Sequence, residues 1–125
     1  MKKTLIAIML AVSMMQMPAA VQAKKISSMG LMKISYYCPC EICSEGYGRK
    51  TATQTCAEAG RTVAVDPDVI ALGTKLLIDG EEYIAEDVGG HVRGEHVDIF
   101  VDTHDETIEK GIKYKDVKII RKCKK

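Results

Sequence analysis

The sequence predicts a mainly β protein, a small six-stranded barrel carrying one or two short helices. Three observations lead there. Short runs rich in Val and Ile recur with period-two alternation. Glycine, proline and Asp-Gly signals separate them at close intervals. A single stretch, "THDETIEKG", carries both a helix start and a helix stop. Several short strands with so little helix favour a closed barrel over a sandwich.

Each element follows in order. Residues 1–23, "MKKTLIAIMLAVSMMQMPAAVQA", hold two lysines, an apolar stretch and small residues ending in Val21-Gln22-Ala23, the layout of a secretory signal cleaved after Ala23. The apolar run is shorter than the roughly 20 residues of a spanning helix, and Pro18 lies near its end, so the exported chain is not expected to span a membrane. Residues 24–59 are expected to form an N-terminal strand and a cysteine-rich loop, and residues 60–122 the core that completes the barrel. A polar joint at "KKISS" leads into the strand "GLMKISYY". The loop "CPCEICSEGYGRKTATQTCAEAG" is too polar to make a core of its own. "RTVAVDP" is a strand stopped by Pro67, whose ring removes a ladder donor. "DVIALG" reads as a turn or single helical turn, and "TKLLIDGEEYIAEDV" splits into a hairpin at Asp79-Gly80. "EHVDIFVD" is the next strand, Thr103 opens a short helix that Gly111 closes, and "DVKII" is the last strand.

Period-two counting places the carboxylates. Val97, Ile99 and Val101 share one face of their strand, so Asp98 and Phe100 point to the other. Asp87 falls on the face of Tyr83 and Ala85, and Asp66 is out of phase with Val63 and Val65. If these strands are neighbours, the three carboxylates converge on one end of the barrel.

After cleavage 102 residues remain, enough for one modest core, with 16 basic against 17 acidic side chains. No nucleic-acid partner is expected of this near-neutral chain, and a monomer is expected. Charge is nonetheless uneven: residues 79–109 hold eleven acidic side chains against Arg93, and residues 110–125 eight basic ones against Asp116. The basic tail reads as a solvated strand end. Five cysteines leave at least one that is free, metal-bound or paired with another molecule. Cys38, Cys40, Cys43 and Cys56 suit a four-thiolate structural zinc knot, while export suits disulfides, and both arrangements stay open. His91, His96 and His104 match no ligand spacing by themselves.

The segments "VAVDPDVIALGTKLLIDG", "AEDVGGHVRGEHVDIFVDTHDE" and "VKII", from about Arg61 to Ile120 and more loosely from Met32, resemble the three-aspartate (3D) domain. That family is similar to the catalytic domain of MltA-type lytic transglycosylases and related to RlpA-like double-psi β-barrels. The resemblance implies that barrel type, places the three aspartates at Asp66, Asp87 and Asp98, and makes Asp98 the general acid/base. It also implies peptidoglycan glycan strands as the partner, cleaved at the β-1,4 bond between N-acetylmuramic acid and N-acetylglucosamine, by a secreted or cell-wall-associated enzyme without a cofactor. Two departures leave the aspartates untouched: His91, which could alter the groove, replaces a small apolar residue after Gly-Gly, and Ala71 a frequent proline.

The chemistry is consistent with one carboxylic acid. A water-using glycosidase commonly needs two carboxyl groups. A lytic transglycosylase lets the muramic acid's own C6 hydroxyl attack C1, so Asp98 alone would protonate the glycosidic oxygen and then accept the hydroxyl proton, giving a 1,6-anhydro product. Burial beside Phe100 and the charges of Asp66 and Asp87 would raise its pKa. Gly89 and Gly90 permit positive φ and close backbone approach to a sugar, and Ser35 and Tyr37 are candidate sugar contacts. The alternatives are a non-catalytic wall-binding or wall-loosening barrel, and a hydrolase of the same bond.

Overall fold

The computed structural model describes residues 23–123. Of the predicted signal segment only Ala23 falls among them. Six strands form, β1 (Lys24–Tyr37), β2 (Thr62–Val65), β3 (Lys75–Ile78), β4 (Glu81–Asp87), β5 (His96–Phe100) and β6 (Lys113–Lys122), with one helix, α1 (His104–Lys110). The strands close into a barrel in the order β1-β5-β2-β4-β3-β6. The mainly β, six-stranded barrel expected from the sequence is therefore the fold, with one helix. The pairs β1–β5 and β2–β4 are parallel and the other four antiparallel. Among the described residues no helix is long and apolar enough to cross a membrane.

Local chemistry explains most boundaries. Asp79 (φ 50°) and Gly80 (φ 76°) both take the left-handed region between β3 and β4, the conformation a two-residue hairpin turn requires. Thr103 caps α1 by accepting the Glu106 N–H, and the Gly111 N–H returns to the Thr107 carbonyl. β1 corrects one expectation. The polar "KKISS" is strand rather than joint: Lys24–Ser28 pair with Lys118–Lys122 of β6, and the register shifts between Ser28 and Leu31, where Gly30 has φ 85°. Lys24–Ser28 are exposed although Ile119 and Ile120 on the paired strand are buried, so backbone pairing holds this end and hydrophobic alternation does not mark it on β1.

Two apolar clusters divide the molecule. Inside the barrel Met32, Ile34, Val63, Val65, Val97 and Ile99 pack with residues of β3, β4 and β6. Outside it, Tyr37, Ala57, Ala64, Val92 and Phe100 form a second cluster beneath the loop that joins β1 to β2. Phe100 meets Tyr37 edge-on with ring centroids 5.3 Å apart, and the Arg49 guanidinium lies over its ring. Arg49 also bonds the Ala57 carbonyl and Asp102, which fastens the loop to the barrel's outer face.

Candidate active site

The site is built on that outer face. Along β5 the alternation holds as expected, with Val97 and Ile99 inside and Phe100 outside. β1 runs parallel to β5, with Ser35 opposite Asp98 and Tyr37 opposite Phe100, so Ser35 and Tyr37 face outward with them.

Asp87 reaches this face by a different route. Strict alternation would keep it with Ala85, which is sealed in the barrel. The β2–β4 register breaks: Val63 faces Ala85, but Ala64 faces Asp87, leaving Glu86 as an extra residue. This bulge turns the Asp87 side chain outward. On its other side Ala64 faces Asp98. Two carboxylates thus flank one small side chain, and Tyr37, Ala64, Asp87 and Asp98 all line one cleft of about 90 Å³. A neighbouring hollow of about 440 Å³ shares six of its residues, including Glu45, Tyr47 and Asp87. The combined groove is within the size range of about 300–1,000 Å³ common for ligand sites.

The carboxylates have distinct surroundings. Burial, with a smaller contribution from the charge of Asp87, pushes the Asp98 pKa up to about 6, against a hydrogen bond from the Ser35 hydroxyl (2.9 Å) that favours the ionised form. Asp87 accepts from the Tyr37 hydroxyl (2.9 Å), the Ala52 N–H (3.1 Å) and the Val88 N–H (2.9 Å), which fixes both of its oxygens. Burial first, and then Asp87, hold the Tyr37 phenol protonated far above its ordinary range. Asp66 does not line the cleft. It accepts from Gly94 N–H (2.8 Å) and Asp68 N–H (3.0 Å), bonds that hold its pKa below the usual carboxylate range and tie the end of β2 to the loop before β5. Its charge is absent from the causes of the Asp98 shift, where Asp87 is the acidic neighbour.

Gly89 and Gly90 border the groove, and neither has positive φ. A Cβ on Gly89 would come 2.9 Å from the Val92 side chain, whereas one on Gly90 would come 2.8 Å from the Glu45 carboxylate, the movable end of a flexible side chain. The Gly90 N–H donates to that carboxylate (3.2 Å), binding the groove's two walls.

Other residues belong to the site that sequence reasoning left out. His96, buried, places Nε2 2.6 Å from Ser35 Oγ, so a polar chain runs His96–Ser35–Asp98 along the outer face. Burial, then the Lys33 charge, lower the His96 pKa and keep the ring neutral. Its position two residues before Asp98 was the available signal. Tyr47, 69% exposed, lines both parts of the groove with a free aromatic face. Cys38, Cys40 and Cys43 come together at one end of the groove's loop wall with His104, while Cys56 lies outside that group. None of the five cysteines is paired in a disulfide.

Residues 61–121 match the 3D domain family. The likeness spans 61 of the chain's 125 residues. Over 61 residues, 48% of its length, the chain is 38% identical to the cell wall-binding protein YocH of Bacillus subtilis and 36% identical to that organism's putative cell wall shaping protein YabE. The matched stretch spans 21% and 15% of those relatives. Among solved structures, the lytic transglycosylase MltA of Escherichia coli is similar over 60% of this chain and 28% of that one, with a TM-score of 0.53 and 25% identity. Over that share the chain has the MltA-like fold.

Proposed function

We propose that this chain is an exported lytic transglycosylase of peptidoglycan, cleaving the bond between N-acetylmuramic acid and N-acetylglucosamine. The observation that carries the reading is the pairing of one half-buried carboxyl of raised pKa, Asp98, with one carboxylate that accepts three hydrogen bonds, Asp87, across Ala64. Asp98 donates its proton to the departing glycosidic oxygen, then takes the proton of the attacking C6 hydroxyl. Ser35 and His96 hold and polarise Asp98 during this exchange. Asp87, with both oxygens occupied, is suited to orienting Tyr37 and raising the Asp98 pKa, and poorly suited to activating water. That favours internal attack over hydrolysis. Asp66 acts as a positioning residue, setting the loop that leads into β5. Tyr47 offers a stacking face to a sugar ring. The MltA-like fold and the cell wall-binding relatives support a glycan partner and a cell-wall location.

A second reading, glycan binding without cleavage, is favoured by the description of the relative YocH as cell wall-binding. Incubation with purified peptidoglycan, followed by mass analysis of soluble fragments, separates the two. Anhydro-muropeptides released by the native chain and absent with Asp98→Asn support the lyase. Equal glycan binding by both proteins with no fragments released establishes the binding module, and reducing muramic ends would identify a hydrolase.

A further inference from the structure

Beyond the Asp87–Asp98 cleft, three thiols and an imidazole meet where the loop leaving β1 crosses the start of α1. Cys38, Cys40 and Cys43 follow directly on Tyr37, and His104 is the first residue of the helix. Their Sγ atoms and a ring nitrogen all lie within 4.8 Å of one another. His104 Nδ1 is 3.8 Å from Cys38 Sγ, 3.7 Å from Cys40 Sγ and 3.4 Å from Cys43 Sγ. Ordinary hydrogen bonding does not account for this, since one ring nitrogen of a neutral imidazole makes a single hydrogen bond and three sulfurs converge on it. A disulfide between any two of the sulfurs would leave the third and the imidazole with no common partner. A tetrahedral zinc ion does account for it. With bonds of about 2.3 Å to sulfur and about 2.0–2.1 Å to nitrogen, the sulfur–nitrogen edge of the tetrahedron is about 3.6 Å, close to all three observed separations.

We propose that Cys38, Cys40, Cys43 and His104 bind a structural zinc ion. The thiols enter as thiolates and give their three protons to solvent, so with a neutral imidazole the site carries one net negative charge. Four protein donors complete the tetrahedron and leave no position for water or substrate, the mark of a structural rather than catalytic centre. The Cys43 N–H points at Cys40 Sγ (3.4 Å), an outer contact of the kind that steadies a metal-bound thiolate. Cys38 is buried and Cys40 and Cys43 half-buried, whereas Cys56 and Cys123 are exposed and take no part. The consequence is mechanical. Cys43 lines the cleft beside Ser44, Glu45 and Tyr47, so the ion would pin that wall of the groove to the end of β1 and to α1. Zinc binding does not depend on the glycan reading.

The test uses the full chain, purified without oxygen and with its metal content measured by mass spectrometry. One zinc per chain is expected. Cobalt exchanged into the site should give thiolate charge-transfer bands and the intense visible bands of a tetrahedral centre. Cys43→Ser and His104→Ala should lower metal affinity by at least ~100-fold, since even outer-shell changes cost about 10–100-fold. Cys56→Ser and Cys123→Ser should leave stoichiometry and spectrum unchanged. Should the weakened variants fail to fold by circular dichroism, His104→Cys decides: it should retain one metal and shift the cobalt bands toward four-sulfur ligation. Sub-stoichiometric zinc, octahedral cobalt bands, a metal that depends on Cys56, or a disulfide among Cys38, Cys40 and Cys43 in the freshly isolated chain would each overturn the site.

Discussion

Asp98 keeps its proton to about pH 6 because the outer-face groove strips water from it, and the Asp87 charge adds to the effect. Two outcomes follow with opposite signs. In the proposed role of general acid it works in the protonated form, so kcat/KM for glycan cleavage should fall as pH rises through about 6, and Asp98→Asn should lose about 10²–10⁴-fold. For stability, a carboxyl whose folded pKa is raised costs nothing below its unfolded value near 3.8, and the penalty grows until it is complete above about 6. Asp98→Asn should therefore be more stable than the native chain at pH 7, by on the order of 1–3 kcal/mol, and no more stable at pH 3. Urea denaturation at the two pH values measures this; an equal difference at both would contradict the assigned shift. Ala64 is the second residue to test. Its methyl leaves room between Asp87 and Asp98, and Ala64→Leu should fill that room, cutting cleavage at least ~100-fold while costing about 1–3 kcal/mol of stability. Fragment release and thermal melting report the two effects separately.

At the scale of elements, the β4 bulge decides the site. Glu86, the extra residue, is buried and takes hydrogen bonds from the Thr62 hydroxyl (2.7 Å) and Arg61, which hold β4 to β2 at the break in register. Glu86→Ala leaves Thr62 without its acceptor, and a loss of about 1–3 kcal/mol in chemical denaturation is expected. Cleavage should drop further than stability, because Asp87 loses its fixed aim; Glu86→Gln, which can still accept from Thr62, should recover part of both. The helix and the Asp79-Gly80 hairpin were readable because caps and left-handed turns are local chemistry. The start of β1 was not, since Lys24–Ser28 are ordered by pairing with β6, and polar residues give no periodic trace of it. The bulge was equally hidden: alternation keeps Asp87 on the face of Ala85, and only the closed barrel shows that this face is the inner one.

For the whole molecule, closure of the barrel is the controlling fact. The family match begins at Arg61, after β1, yet β1 pairs with both β5 and β6 and carries Ser35 and Tyr37. A fragment spanning 61–125 would leave the edges of β5 and β6 open, and is expected to show no cooperative unfolding transition by circular dichroism, unlike residues 24–125. The sequence by itself determined the strand-rich class, the helix, the hairpin and the outward phase of Asp98, because each follows from neighbouring residues and their period. It also marked the three aspartates and the cysteine cluster as unusual. Only the tertiary structure decided which of these meet. It set Asp87 beside Asp98 through a register break, turned Asp66 to holding a loop, and brought His104 to cysteines more than sixty residues earlier in the chain. Those choices depend on strand order and register, which are fixed when distant segments pack against each other, and no local pattern encodes them.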